Sequence, residues 1–245
     1  MTEPRDPPRQ LPLMVSLPDD ARLSALFRAP NDWFLDWLET VWQDSLQGGH
    51  ASEQSLFIHA PPGGGLTQLL QALCRQGEES DLAVFYLSLR DLADYGPDVL
   101  EDMSAMTLLC LDDMDAVLGK PTWDEALFHL FNQQRDQGHQ LIMGSHRPLT
   151  ELEGKVLPDL HSRLSWGMVA NWRLPEDEQW EAAIQSLANR RGLQMGTDAA
   201  RYLALRGPRD WSRMAALMTE LDTRALAEKR RLTQPFIRAV TGWQG

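Results

Sequence analysis

The sequence predicts an α/β fold, a parallel sheet with helices on both faces, followed by a small all-helical domain. Three observations predict it. Short apolar runs alternate with amphipathic helical stretches between about residues 31 and 172. The first run passes straight into a Gly-rich loop and then a helix. Beyond about residue 174 the strand-like runs stop and only helix-period patterns remain. Strands separated by helices pair in parallel and are buried on both faces.

The elements follow in order. Residues 1–20 read as a tail, because Pro4, Pro7, Pro8, Pro12 and Pro18 forbid a helix. Inside it lies one apolar cluster, Gln10-Leu11-Pro12-Leu13-Met14-Val15, which reads equally as a first edge strand or a short docking peptide. A helix is expected over 31–45, with Asn31 or Asp32 as cap and Phe34, Trp37, Leu38, Val41 and Trp42 as its apolar stripe. Ser55–His59 reads as a strand, 60–65 as a tight loop, and Thr67 to about Arg75 as a helix. Further strands are expected at 83–87, 107–112, 140–143 and 168–172, with a helix from Trp123 to Gln137 closed by Gly138. Pro175-Glu176-Asp177 opens a helix running to Gly192. Helices at about 197–205, 210–230 and 234–241 complete the chain, the last capped by Thr233. The units are thus 1–20, 21–174 and 175–245.

Composition narrows the function. The chain has 245 residues and a net charge of −12, with a pI near 4.9. That balance argues against broad binding of nucleic acid, which requires Lys and Arg against phosphates. Cys74 and Cys110 sit among apolar residues and read as buried thiols of a reduced, cytoplasmic protein. No apolar run reaches the length of a membrane span, and the start does not resemble a signal peptide. Most of the nine tryptophans, Trp33, Trp37, Trp123, Trp172, Trp180 and Trp211 among them, read as core residues. The six histidines show no metal-ligand spacing with the cysteines.

Strand, Gly-rich loop and helix form the arrangement that cradles phosphate, through exposed amides and the positive helix end. The full motif is G-x-x-x-x-G-K-[ST]. In the frame Ala60 to Thr67, Gly65 and Thr67 are in place, Ala60 replaces the first Gly and Leu66 replaces Lys. Two readings stand: an ordinary βα turn, or a degenerate P-loop in which Pro62, Gly63, Gly64, Gly65, Leu66 and Thr67 surround a diphosphate. Leu108 to Asp113 is an apolar strand ending in two carboxylates, Asp112 and Asp113, the place for a Mg²⁺-supporting Asp. Near the last strand, Leu157, Leu160 and Leu164 form a stripe from which Arg163 projects. Arg163 is either a solvated surface residue or an arginine offered to a nucleotide on another subunit.

In their order, the loop, Asp112-Asp113, Phe128-His129-Leu130-Phe131-Asn132, Gly144-Ser145-His146-Arg147-Pro148 and Ser162-Arg163-Leu164-Ser165-Trp166-Gly167 resemble the AAA+ module of the bacterial replication initiator DnaA. More closely, the chain resembles the Hda family of DnaA-homologous regulators, from Gln10 to about Val240. Nothing after the helical lid looks like DnaA's DNA-binding domain. The tail segment and the lid ending Arg231-Leu232-Thr233-Gln234-Pro235-Phe236 also look like that family's.

The resemblance implies a negative regulator of replication initiation. Its N-terminal peptide, here Gln10, Leu11, Leu13, Met14 and Val15, would dock on the DNA-loaded sliding clamp. Arg163 would act as an arginine finger on ATP held by DnaA, so DNA is reached through the clamp. The family uses ADP to reach an active monomer, with Mg²⁺ and a homodimer as further associations. Arg209, followed by Asp210-Trp211, matches the sensor II arginine, with Arg213 one turn on as rival. Three departures weigh on this. Leu66 replaces the family's basic residue, which makes hydrolysis by the chain itself improbable and leaves ADP and Mg²⁺ open. His146 replaces an Asp of DnaA. Met14 and Val15 replace the commoner peptide ending. The competing readings are an independent ATPase and a replication-protein loader that binds nucleic acid directly.

Overall fold

A computed structural model describes residues 17, 21–46, 54–101 and 103–243. The expected docking residues Gln10, Leu11, Leu13, Met14 and Val15 lie outside them.

The first helix is broken in a way its sequence did not announce. It comprises α1 (Asp32–Trp37), a single π-helical stretch (Leu38–Trp42) and α2 (Gln43–Leu46). A π turn inserts one extra residue and rotates the face. Leu35 therefore joins Phe34, Leu38 and Trp42 in the core, while Val41, expected in the stripe, is 46% exposed. Asn31 does not cap this helix with its side chain. Its buried amide instead donates to the Arg173 carbonyl (2.8 Å) and accepts from the Arg173 N–H (2.9 Å). That pair ties the segment before α1 to the end of the sheet.

The sheet elements follow as expected, with small shifts at their ends. They are β1 (Ser55–His59), α3 (Leu66–Glu79), β2 (Val84–Ser88), the short α4 (Leu89–Leu92), β3 (Leu108–Asp112), α5 (Pro121–Asp136), β4 (Gln140–Ser145), the short α6 (Leu149–Leu152), α7 (Pro158–Leu164) and β5 (Met168–Asn171). All five strands are parallel, in the order β2-β3-β4-β1-β5. Alternation along each strand builds two cores. Leu56, Ile58, Leu108, Cys110 and Ile142 pack against α1 and α3 on one face. Phe57, Leu109, Leu111, Leu141 and Met143 pack against α5 and α7 on the other. Cys74 and Cys110 are free thiols buried in the first core.

Beyond β5 the described chain is helical: α8 (Trp180–Arg190), α9 (Thr197–Arg206), α10 (Trp211–Glu228) and α11 (Gln234–Thr241), around a third core that includes Trp180, Leu203, Met218, Leu221 and Phe236. The expected helix start at Pro175 is corrected. A short 3-10 turn, Asp177–Gln179, precedes α8, and the cap is the reciprocal pair Glu176 and Gln179. Thr233 occupies the N-cap of α11 without a side-chain hydrogen bond. Trp123, Trp172, Trp180 and Trp211 are buried as expected, whereas Trp33 is 56% exposed. No described helix is long and apolar enough to cross a membrane.

Candidate functional site

The strand order places a topological switch at β1. Its neighbours are β4 and β5, but its own chain leaves through α3 to β2, at the far edge. Ligand crevices in such sheets open at the carboxyl ends of the strands beside this point. The Gly-rich loop after β1 lies there. Pro61 O accepts the Gly64 N–H (2.9 Å), closing a tight turn. Gly63 (φ +73°) and Gly65 (φ +83°) occupy the left-handed region, which side chains disfavour. The first intrahelical bond of α3 runs from Leu69 N–H to Gly65 O (3.1 Å). Earlier amides of the helix start have no partner within it, and they make its positive end.

Thr67 and Asp112 meet at this crevice. The Thr67 hydroxyl donates to Asp112 Oδ2 (2.7 Å), as does the Tyr86 hydroxyl (2.7 Å), and the Asp113 N–H donates to Oδ1 (2.8 Å). Tyr86 comes from β2, where it pairs in register with Cys110 and so shares the face of Asp112. Burial pushes the Asp112 carboxyl above the usual range, against the pull of the two hydroxyls. The same burial, with Asp112 beside it, pushes the Tyr86 hydroxyl up. Asp113 turns elsewhere. It pairs with Arg90 (2.7 Å) and faces His146 Nε2 (3.5 Å). His146 Nδ1 lies 3.1 Å from Ala60 O at the start of the loop, and the His146 N–H donates to Asp115 Oδ1 (2.8 Å). This histidine, which stands where DnaA has an Asp, thus links the loop to the Asp113 corner.

The lid sits on the loop. The Trp211 N–H donates to Gly63 O (2.6 Å), and its indole N–H donates to Gln68 Oε1 (2.9 Å). The indole N–H of Trp172 donates to Gly64 O (3.0 Å). Asp210 caps α10 through the Arg213 N–H (2.8 Å) and lies against Gly63. Of the two lid arginines expected near nucleotide, Arg209 pairs with Asp177 (3.3 Å) and lies over the Trp180 ring (5.3 Å). Arg213 is exposed. Pro62 is exposed as well, and Leu66 is 1% exposed in the first core. The loop keeps the backbone form of a phosphate cradle. Its side chains do not suit ADP in this arrangement, because the cation position is a buried Leu and a carboxylate rests on Gly63.

Arg163 lies at the other edge of the sheet. It is in the last turn of α7, which leads through Ser165–Gly167 into the start of β5. A Cβ on Gly167 would stand 2.0 Å from Ser55 O, so this turn abuts the first residue of β1. The glycine loop follows the last residue of β1, about 13 Å of strand away. The half-buried guanidinium lies 4.7 Å from the Trp166 ring centroid and 5.8 Å from that of Phe128. Arg135 approaches the same indole from 4.8 Å, and Phe131 stacks on it. Sequence reasoning singled out Arg163 but not this aromatic support, which needs α5 and α7 side by side. Tyr86, Gln68, Trp172 and Asp210 were likewise not assigned to the site, since strand register and lid position bring them there.

A five-stranded parallel sheet with a glycine loop at the switch point and a helical lid defines an AAA+-type P-loop module. A family model described as the bacterial DnaA ATPase domain matches residues 43–171, more than half of the chain, and one described as the Hda lid domain matches 177–241. The chain belongs to the DnaA-related AAA+ family, with a lid of the Hda type. Among solved structures, domain III of the Thermotoga maritima replication initiation protein DnaA is similar over 91% of this chain and 96% of its own, at 20% identity and a TM-score of 0.75. AMPPCP-bound DnaA from Aquifex aeolicus is similar over 86% of this chain and 68% of its own, at 21% identity and a TM-score of 0.72. The Thermotoga maritima RuvB Holliday junction branch migration motor covers the same shares at 15% identity and a TM-score of 0.63. At these identities the structural likenesses establish the fold.

Proposed function

We propose that this chain is a negative regulator of replication initiation that stimulates ATP hydrolysis by DnaA through Arg163 while docked on the DNA-loaded sliding clamp. The observation that carries this reading is the separation of the two functional edges. Arg163 is at the amino edge of the sheet and the chain's own glycine loop is at the carboxyl edge. The arginine is therefore out of reach of its own loop and available to a nucleotide on another subunit. Among the described residues no carboxylate pairs with it, and it lies over the rings of Trp166 and Phe128. A guanidinium against the γ-phosphate spreads charge in the transition state, which is worth about 10³ to 10⁵ in rate. The chain contributes one catalytic group, and its partner supplies the nucleotide, the metal and the water.

The proposed division is a tail over 1–20, an AAA+ unit over 21–174 and a lid over 175–245. Gln10, Leu11, Leu13, Met14 and Val15 form the proposed clamp peptide, a short apolar segment suited to a groove. Changing Gln10, Leu11 and Leu13 together to Ala should abolish capture by the clamp and leave the melting temperature unchanged. Retained capture would return that segment to the edge-strand reading. Arg163→Ala should abolish stimulation of DnaA hydrolysis, measured as phosphate release with loaded clamp present.

A further inference from the structure

We propose that the glycine loop of this chain is a seat for its own lid and not a phosphate cradle. This goes beyond the Arg163 reading and does not depend on it. Four observations carry it. First, the cation position is closed. Leu66 is 1% exposed, and its Cδ2 lies 3.3 Å from where a Cβ on Gly144 would stand. The side chain there is packed in the sheet core, beside Gly144.

Second, several of the loop's backbone groups, one N–H and the rest carbonyls, already serve the protein. The Gly64 N–H closes the turn on Pro61 O, Gly63 O accepts from the Trp211 N–H, and Gly64 O accepts from the Trp172 indole. Third, the glycines are what lets the lid approach. A Cβ on Gly63 would stand 2.1 Å from Asp210 Oδ2, and one on Gly65 would stand 2.9 Å from the Trp211 ring. The residues that usually let a phosphate approach the backbone here admit a carboxylate and an indole. A diphosphate arriving at the loop would meet the charge of Asp210 with no Lys to offset it.

Fourth, the space directly between the loop and the lid is small, while a larger cleft of about 310 Å³ opens beyond Gln68 and Trp211, toward Arg22, Gln71 and Leu187. The cavity between the loop, Phe27, Asn31, Trp172 and Trp211 holds about 20 Å³. That is room for a water, and far below what a nucleobase needs. Trp211 lines both spaces. It is 7% exposed, bonded to Gln68 at the first turn of α3 and packed 6.1 Å from Trp180 of the lid. The lid is thus set on the α/β unit by the chain's own groups, in the place where other P-loop proteins use a nucleotide.

The test uses the purified full chain. It is denatured and assayed for co-purified nucleotide, then titrated with ADP and ATP in Mg²⁺ while its melting temperature and tryptophan fluorescence are followed. A ligand present at about 100 times its Kd shifts the folding equilibrium about 100-fold. No co-purified nucleotide and no shift at about 1 mM of either nucleotide is the expected result, and saturable binding overturns the proposal. The seat itself is tested by tryptic cleavage after Arg173, in the connection between β5 and the lid. Gln68→Ala removes the indole's acceptor from an exposed position, and Gly63→Ala drives a methyl against Asp210. Gln68→Ala should cleave about 3- to 10-fold faster than the parent chain, the effect of losing about one hydrogen bond, and Gly63→Ala, which adds a clash and backbone strain, at least as fast. A parental rate in either variant overturns the seat. Nucleotide binding by the parent chain would leave the Arg163 reading standing.

Discussion

Asp112 shows how one residue can be legible and its surroundings not. An apolar strand ending in Asp-Asp reads as the place for a metal-supporting carboxylate, and the structure sets Asp112 against the Thr67 hydroxyl of the loop. Tyr86 was not legible, because only the β2–β3 register puts its hydroxyl on the same oxygen. The shift of Asp112 has a sign that can be tested. Its carboxyl is raised, chiefly by burial, so the folded chain holds its proton more tightly than the unfolded chain. Its contribution to stability therefore falls as pH rises above the ordinary value of 3.8. Asp112→Asn removes that dependence. The amide oxygen still accepts from the Asp113 N–H, and the two hydroxyls rotate to accept from the amide nitrogen. The variant should keep or raise the melting temperature at about pH 8 and narrow the difference between about pH 5 and pH 8. A loss of more than about 5 °C at pH 8 would mean that the ionised form is stabilising.

At the scale of elements, most strands and helices were readable because each carries its own period. The five strands have apolar runs bounded by polar or turn residues, and the four lid helices show amphipathic spacing with Gly, Pro or Asp at their borders. The π stretch at Leu38–Trp42 was not readable. Its local sequence fits a regular α-helix, and only the core decides that Leu35 goes in and Val41 stays out. Asn31 is similar, since a cap is the local choice and the bond to Arg173 is a tertiary one. The turn between α7 and β5 sets where Arg163 stands. Gly167 has no room for a methyl beside the Ser55 carbonyl. Gly167→Ala should cost about 3 kcal/mol, or about 6–12 °C in melting temperature for a chain of this size. A thermal melt within about 2 °C of the parent would show that the turn yields.

The whole molecule sets its two candidate sites at opposite ends of the strands. Its carboxyl edge carries the loop, Asp112 and the lid contacts, and its amino edge carries Arg163 on an aromatic bed. The net charge of −12 fits a protein brought to DNA by a partner. Neither edge was visible as an edge in the sequence, because strand order is a property of the assembled sheet. The central claim is that Arg163 acts on a partner's nucleotide. Its most direct measurement is single-turnover hydrolysis of ATP held by DnaA, with loaded clamp, comparing the parent chain with Arg163→Ala. The account predicts that the parent speeds hydrolysis and that Arg163→Ala loses about 100-fold or more of that stimulation while folding and clamp capture are retained. Equal stimulation by both proteins would contradict it.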